Sequence, residues 1–352
     1  MVYPGDSIVE ALANRGGCEE VLVFDGTWDE AIELEGAIVF RGSDATLSGS
    51  LLITGDATVE GFRLADGGGL SGDYGHLAEG ETYGGGLFVY KAAPTIRDNV
   101  IEGNRAYQGG GAYLYEFDGV FEGNLLRDNE SVGDTSWGGG GLYCYRCEGS
   151  FTGNSFEDNS HAPDSGSGGA VMIRRGSPSF DRNRFSSNRA EGTGGCIRSA
   201  DAEPVITNNL LVDCHPDAIT VSYEDGGLVA HNTILSSARQ GLRIHCPNCS
   251  SGPTTEIVNN LIVGSVYYGA KATGPNSVEW SHNALWDNGS GDYDGIEGSS
   301  DLLVDPLVDE EGRPAPESPL IDAGLELEEV TSDLEDNARP GGDGWDIGAY
   351  EL

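Results

Sequence analysis

The sequence predicts an all-β chain wound as a single-stranded right-handed parallel β-helix, a solenoid, with a short helix capping its N-terminal end and an irregular C-terminal tail. Three observations predict it. A motif of the form apolar-x-x-Asn-x-apolar recurs with its asparagine at Asn99, Asn124, Asn154, Asn183, Asn209, Asn232, Asn260 and Asn283, in steps of 23 to 30 residues. All sixteen flanking positions are apolar, from Ile96 and Ile101 in the first motif to Trp280 and Leu285 in the last. The chain is only 38% hydrophobic, so the period is structural. Upstream of most motifs a β-rich stretch follows a run of glycines, as in GGGLFVY, GGGAYLY and GGGGLYCY. Two short strands meeting at an asparagine bend, plus this third strand, make one coil.

Each element follows in order. In DSIVEALANRGG, residues 6–17, Ser7 reads as the N-cap with Glu10 as its capping-box partner. Ile8 and Leu12 share one face, and Gly16 and Gly17 stop the helix. This cap, expected over residues 1–30, protects a coil end that would otherwise be an open edge. IELEGAIVFRG and DATVEGFRLADG read as early coils, a polar insertion follows at 66–83, and the β-helix is expected over 31–290. Asparagine suits the bend because its short amide tolerates the left-handed conformation and bonds the local backbone. Coils stacked at roughly 4.8 Å place one amide over the next, so the asparagines are expected to bond as a ladder. Asn104, Asn129, Asn159 and Asn188 predict a shorter second ladder, continued by Cys214, Ser237, Ser265 and Asn288. Residues 291–352 form the acidic tail.

The formal charge is −39, from 19 basic and 58 acidic residues, which repels a phosphate backbone or an anionic membrane over most of the surface. Nucleic acid is therefore not expected as a partner. The acid is uneven, with 21 Asp or Glu against two Arg after residue 271, whereas six basic residues lie between Arg174 and Arg198. Glycine (55) and proline (14) stay short of the level that marks disorder. No apolar run is long enough to span a bilayer, and MVYPGDS lacks a signal-peptide pattern. The chain is either cytoplasmic or exported with its signal removed.

The coil pattern resembles the pectate-lyase-like β-helix superfamily over residues 3–290. The ending, SPLIDAG at 318–324 and RPGGDGWDIGAYEL at 339–352, is similar to the close of bacterial surface β-helix proteins of the choice-of-anchor Q type. The resemblance implies an exported or cell-surface protein whose anchor, if any, lies outside these residues. It also implies that ligands lie across the glycine-introduced sheet.

Strand alternation points Phe88, Tyr113 and Tyr143 outward on that sheet, with Tyr90, Tyr115 and Tyr145 beside them. Two rows of three rings suit the C–H faces of sugar rings; the same rings can instead stack on each other under the long loops. Further along, the outward positions become Thr220, Ser222, Arg243, His245 and Lys271, with Arg174, Arg175 and Arg198 between; the register slips near Arg198 and leaves its direction open. This strip either pairs with nearby carboxylates or binds a uronic-acid polymer. In a lyase or epimerase, Arg243, His245 and Lys271 would neutralise the substrate carboxylate and remove the adjacent proton. A glycoside hydrolase needs two facing carboxylates, and Asp217 stands nearly alone, so hydrolysis is disfavoured.

The acidic loops 66–81 and 287–295 offer oxygen ligands that calcium accepts, although neither fits an EF-hand and solvated surface acid explains both. No other cofactor or metal is expected. Cys144 and Cys147 form one CxxC, and Cys246 and Cys249 a second, too many coils away for a shared zinc. Each pair could close its own loop in an exported protein, but strain inside a straight strand opposes that. His161 and His215 are expected in solvated loops. The expected molecule is a monomeric, extracellular or cell-surface β-helix that presents a sheet or groove to a polysaccharide. A polysaccharide lyase or epimerase, and a structural spacer or adhesin, are the alternatives. These residues do not decide whether the chain is an enzyme.

Overall fold

A computed structural model describes all of residues 1–352 except 73, 75, 76, 135, 163, 164, 223–225, 246–253 and 275–277. The predicted coils are present. The glycine-introduced strands, among them Leu87–Tyr90, Ala112–Tyr115, Leu142–Cys147, Val171–Gly176, Ile197–Ala200, Ile219–Ser222, Leu242–His245 and Tyr268–Thr273, pair in parallel as one eleven-stranded sheet. The strands flanking each asparagine form a second, long sheet. Its first three members, Glu20–Trp28, Val39–Ser48 and Thr58–Ala65, run through the corner without a break. Arg105–Ala106, Glu130–Ser131, Ser160–His161 and Arg189–Ala190 make a short third sheet.

Every coil turns its alternate residues inward, so identical positions stack into columns. Phe121, Phe151, Phe180 and Ile206 form one, Leu126, Phe156, Phe185 and Leu211 another, and all are buried. Phe151 and Phe180 lie face to face with centroids 4.4 Å apart.

The first asparagine ladder runs unbroken from Asn99 to Asn283. In each step the backbone N–H and the Nδ2 of one asparagine donate to the Oδ1 of the next, at 2.8–3.1 Å. Each Nδ2 also donates to a carbonyl of the preceding coil, as Asn154 does to Phe121. The ladder ends on a carboxylate. Asp301 accepts from the Asn283 N–H at 2.8 Å, from Trp280 Nε1 at 2.7 Å and from the Tyr293 hydroxyl. The left-handed residue is not the asparagine, as the sequence suggested, but the residue before it: Gly123, Gly153, Arg182, Asn208, His231, Asn259 and His282 all have φ of 53–64°. That turn aims the following amide into the stack, where its hydrogen bonds offset the strain. The second ladder joins Asn104, Asn129, Asn159 and Asn188. It breaks at Cys214, which is disulfide-bonded to Cys196, and a single bond resumes it where Ser265 N–H donates to Asn288.

At the N-terminus, helix α1 spans Ile8–Ala13, and Ser7 caps the Glu10 N–H at 3.1 Å. The reciprocal partner is Glu30 rather than Glu10. Its carboxylate accepts from the Ser7 hydroxyl and from the Ile8 and Val9 N–H groups, tying the cap to the first coil. That coil begins with Glu20–Trp28, inside the stretch expected to be cap.

The tail is irregular but docked. It lies on the outer face of the long sheet. Leu320 and Ile347 pack on Leu261 and Ala284, Leu334 and Tyr350 on Leu210 and Leu235, and Leu327 and Val330 on Leu228 and Val258. The DIGAYEL ending is the lock of this contact. Arg339 and Glu351 pair at 2.6 Å with both side chains buried, Asp346 accepts from the Asp322 and Leu352 N–H groups, and Ala349 N–H bonds Thr233 Oγ1.

Candidate ligand-binding face

The outward residues of the glycine-introduced sheet stand in two columns set by its parallel register. One column reads Phe88, Tyr113, Tyr143, Met172, Arg198, Thr220, Arg243, Lys271, Asp294. The other reads Tyr90, Tyr115, Tyr145, Arg174, Ala200 and, past Ser222, whose side chain lies outside the described residues, His245 and Thr273. Arg198 is therefore in register and faces outward, which resolves the direction that the sequence left open.

The aromatic half points away from the coil interior as expected, yet it is not an open platform. Tyr113 and Tyr143 stack at 5.0 Å, Tyr90 and Tyr115 at 5.3 Å, and Tyr115 and Tyr145 at 5.5 Å, while Phe88 meets Tyr113 edge-on. Phe88, Tyr113, Tyr143 and Tyr115 are buried, and Tyr90 and Tyr145 half-buried. Tyr83 and Tyr74 from the insertion and Trp137 from the next loop cover them as a second apolar cluster. The ring faces that a sugar would need are taken by other rings. Burial pushes the Tyr113 hydroxyl well above the usual tyrosine range. It pushes Tyr143 up to about 12, with Arg174 opposing the rise.

The cationic half is more open. Trp137 marks the junction, with the Arg174 guanidinium 4.8 Å and that of Arg198 6.0 Å from its ring. Arg198 is buried, whereas Arg174, Arg243, His245 and Lys271 are half-exposed. Asp217, wholly buried at the start of its strand, lies 3.6 Å from Arg243 Nη1 and accepts from Thr220 Oγ1 and Gln240 N–H, each at 3.3 Å. It holds Arg243 from beneath, and its carboxyl is raised above the usual range by burial, against the pull of Arg243. Lys271 Nζ pairs with Asp294 at 2.5 Å.

Arg243, His245 and Lys271 do come together, Arg243 and Lys271 as register partners on adjacent coils and His245 two residues along from Arg243. Burial and the charges of Arg243 and Arg198 lower the His245 pKa, so its ring is neutral near pH 7. His245 Nδ1 lies 2.7 Å from Thr273 Oγ1, and that hydroxyl reaches Ile244 O at 3.5 Å. Nδ1 thus has a hydroxyl partner that can accept its proton or donate to its lone pair. The face thus offers fixed cations for an anion and one neutral base beside them. Among the described residues no three His, Cys, Asp or Glu side chains gather as a cation cage.

Several placements differ from expectation. Cys144 and Cys147 are disulfide-bonded, because the Leu142–Cys147 strand bends at Arg146, which is left-handed (φ 56°), and the Cα atoms approach to 5.8 Å. Cys246 and Cys249 lie outside the described residues. His161 is buried, with Nδ1 against Ser131 O, and His215 is half-buried beside Arg189. Trp137 and the Cys196–Cys214 bridge escaped the sequence reading, although Cys214 stands where the second ladder needed an asparagine.

A family model described as right handed beta helix region matches residues 85–246 and 140–302. No curated protein matches the chain by sequence. Among solved structures, the pectate lyase Pel9A superposes with a TM-score of 0.59 at 14% identity, over 98% of this chain and 91% of that one. The PL6 family alginate lyase AlyGC superposes with a TM-score of 0.45 at 16% identity, over 90% of this chain and 55% of its own. The stacked parallel coils and the family match, which extends over more than half of the residues, lead to one conclusion: the chain belongs to the right-handed β-helix family.

Proposed function

We propose that this β-helix is an extracellular protein that binds an acidic polysaccharide along the cationic half of its glycine-introduced sheet. The observation that carries the reading is the gathering of Arg174, Arg198, Arg243 and Lys271 on one face of a chain with net charge −39. Cations so placed favour carboxylates or sulfates spaced along a polymer. The buried aromatic rows then serve as the rigid floor beside the strip. Export is supported by the Cys144–Cys147 and Cys196–Cys214 disulfides, a bond type that persists in oxidising compartments.

Affinity electrophoresis through gels carrying polygalacturonate, alginate, hyaluronan or a neutral glucan, with and without calcium, tests it. The acidic gels should retard the protein, salt should abolish the retardation, and Arg243→Ala with Lys271→Ala should remove most of it. Equal mobility in acidic and neutral gels overturns the proposal.

One observation favours a second reading, β-elimination: a neutral His245 beside Arg243. Arg243 would neutralise the uronate carboxylate and His245 would take the C5 proton. The C4–O bond would then break as C4=C5 forms, water protonating the departing oxygen. The unsaturated product absorbs in the ultraviolet, so its appearance with the native protein and its loss in His245→Gln distinguish cleavage from binding. Neither binding nor product would leave a spacer or adhesin.

A further inference from the structure

His231 follows the strand Gly227–Ala230 and occupies the left-handed position before Asn232. Its ring is wholly buried between the coils and the docked tail. Nδ1 is 3.1 Å from Asp346 O, and Nε2 is 2.9 Å from Asn259 Nδ2. The Asn259 amide cannot turn over to suit the ring, because Nδ2 donates to Leu325 O and Oδ1 accepts from Leu325 N–H, both at 2.7 Å. Nδ2 is thereby fixed as a donor towards His231. Nε2 must accept from it, and the imidazole proton sits on Nδ1, donated to the Asp346 carbonyl.

We propose that His231 is an acid-sensitive latch for the tail: a proton added at Nε2 sets N–H against N–H in a dry contact and releases residues 320–351 from the long sheet while the coils stay folded. Release uncovers an apolar face that includes Leu210, Leu228, Leu235 and Leu261.

The surrounding charges leave this pair to act. On the tail side stand Arg339, bonded to Asp346 O and Gly348 O and paired with Glu351, and the carboxylates of Asp322, Asp333 and Asp346. On the coils, the positions stacked above and below are the neutral Asn208 and Asn259. Burial, and then the Arg339 charge, hold the His231 pKa well below the usual histidine range, against the Asp346 and Gly348 backbone groups, which favour the protonated ring but do not outweigh them. The docked state thus binds this proton less readily than the released state, and docking weakens as pH falls below about 6.5, up to tenfold per unit. Asp346 and Glu351 are raised by burial, so their protonation favours docking. The latch therefore acts above the pH at which those carboxylates titrate.

Hydrogen exchange on the full chain between about pH 7 and pH 5.5 tests the latch. The reporters are the amides of Leu334, Gly348 and Ala349, bonded to Ala349 O, Asn259 O and Thr233 Oγ1. After correction for intrinsic exchange, their protection should fall towards tenfold per pH unit while coil amides keep theirs, and His231→Gln should abolish the slope. An equal slope in the variant, or tail and coils losing protection together, overturns the proposal. A measurement without a variant adds a second test: ring 15N shifts at neutral pH should report the Nδ1-protonated tautomer, and an Nε2–H ring overturns the latch.

Discussion

Exchanging amide and carboxylate within the first ladder probes what holds the coils in register. The Asn154 side chain, 1% exposed, donates to Phe121 O and Asn183 Oδ1 at 2.9 Å, and accepts from the Asn124 N–H at 2.9 Å and from Asn124 Nδ2 at 3.1 Å. In Asn154→Ala the Asn124 N–H loses its partner, an orphaned buried donor that costs about 1–3 kcal/mol. With the other side-chain bonds gone as well, a total of about 2–4 kcal/mol is expected. Asn154→Asp is isosteric but should cost more at pH 7. It places a carboxylate oxygen against Phe121 O and Asn183 Oδ1 and buries a charge with no cation beside it. Its native pKa is then raised, so the penalty is small below about pH 4, grows as pH rises through that value, and levels off above the raised native one. At the ladder's end the rule inverts. Asp301 accepts from three donors, so Asp301→Asn sets an amide N–H against that of Trp280 or Asn283, and about 1–3 kcal/mol should be lost there too. Urea unfolding followed by circular dichroism, with hydrogen exchange at Asn124, reads all three. Changes below about 1 kcal/mol in Asn154→Ala and in both isosteric exchanges would refute the claim that the amides hold the stack.

Three further outcomes are expected. Tyr113→Ala should lower stability by about 3–5 kcal/mol by opening a cavity beneath the covering loops, yet leave any acidic-glycan retardation intact; loss of binding with unchanged stability would return these rings to the site. Cys214→Ala, which opens the bridge to a residue 18 positions away, should cost about 3 kcal/mol in thermal or urea unfolding, and reducing agent should destabilise the native protein but not the variant at this bridge. Asp217→Asn removes the charge beneath Arg243 and should weaken glycan retention chiefly through Arg243, so that it adds little to Arg243→Ala in gel mobility.

Local chemistry was legible in the sequence, and long-range cover was not. The asparagine spacing and its apolar neighbours located the coils because each coil meets the next through identical positions. Strand alternation gave the outward direction of Tyr113, Arg243 and Lys271. Whether Tyr113 meets solvent depends instead on Tyr83 and Trp137, carried by loops whose path no periodicity records. The left-handed residue was misplaced because asparagine is among the residues that tolerate that conformation, whereas the residue before it varies from Gly to Asp98, Arg182 and His231. A readable sign of the docked tail was present: outward positions that are charged or hydroxylic in early coils, such as Arg127 and Ser186, become Val212, Leu235 and Val263. The Asp217–Arg243 pair eluded the sequence because its members belong to successive coils, 26 residues apart.

Because every rung of the first ladder donates in the same direction, the rod has a head and a foot that are chemically unlike. The ladder itself would accept a duplicated or deleted coil between Asn99 and Asn154, clear of the Cys196–Cys214 bridge and of the docked tail, each new amide meeting the same neighbours above and below. Growth past the foot would require Asp301 to become an asparagine and its terminating role to pass to a new aspartate further on. Length in such a rod is thus free to vary in its first coils and is legislated where the tail docks and at the last step.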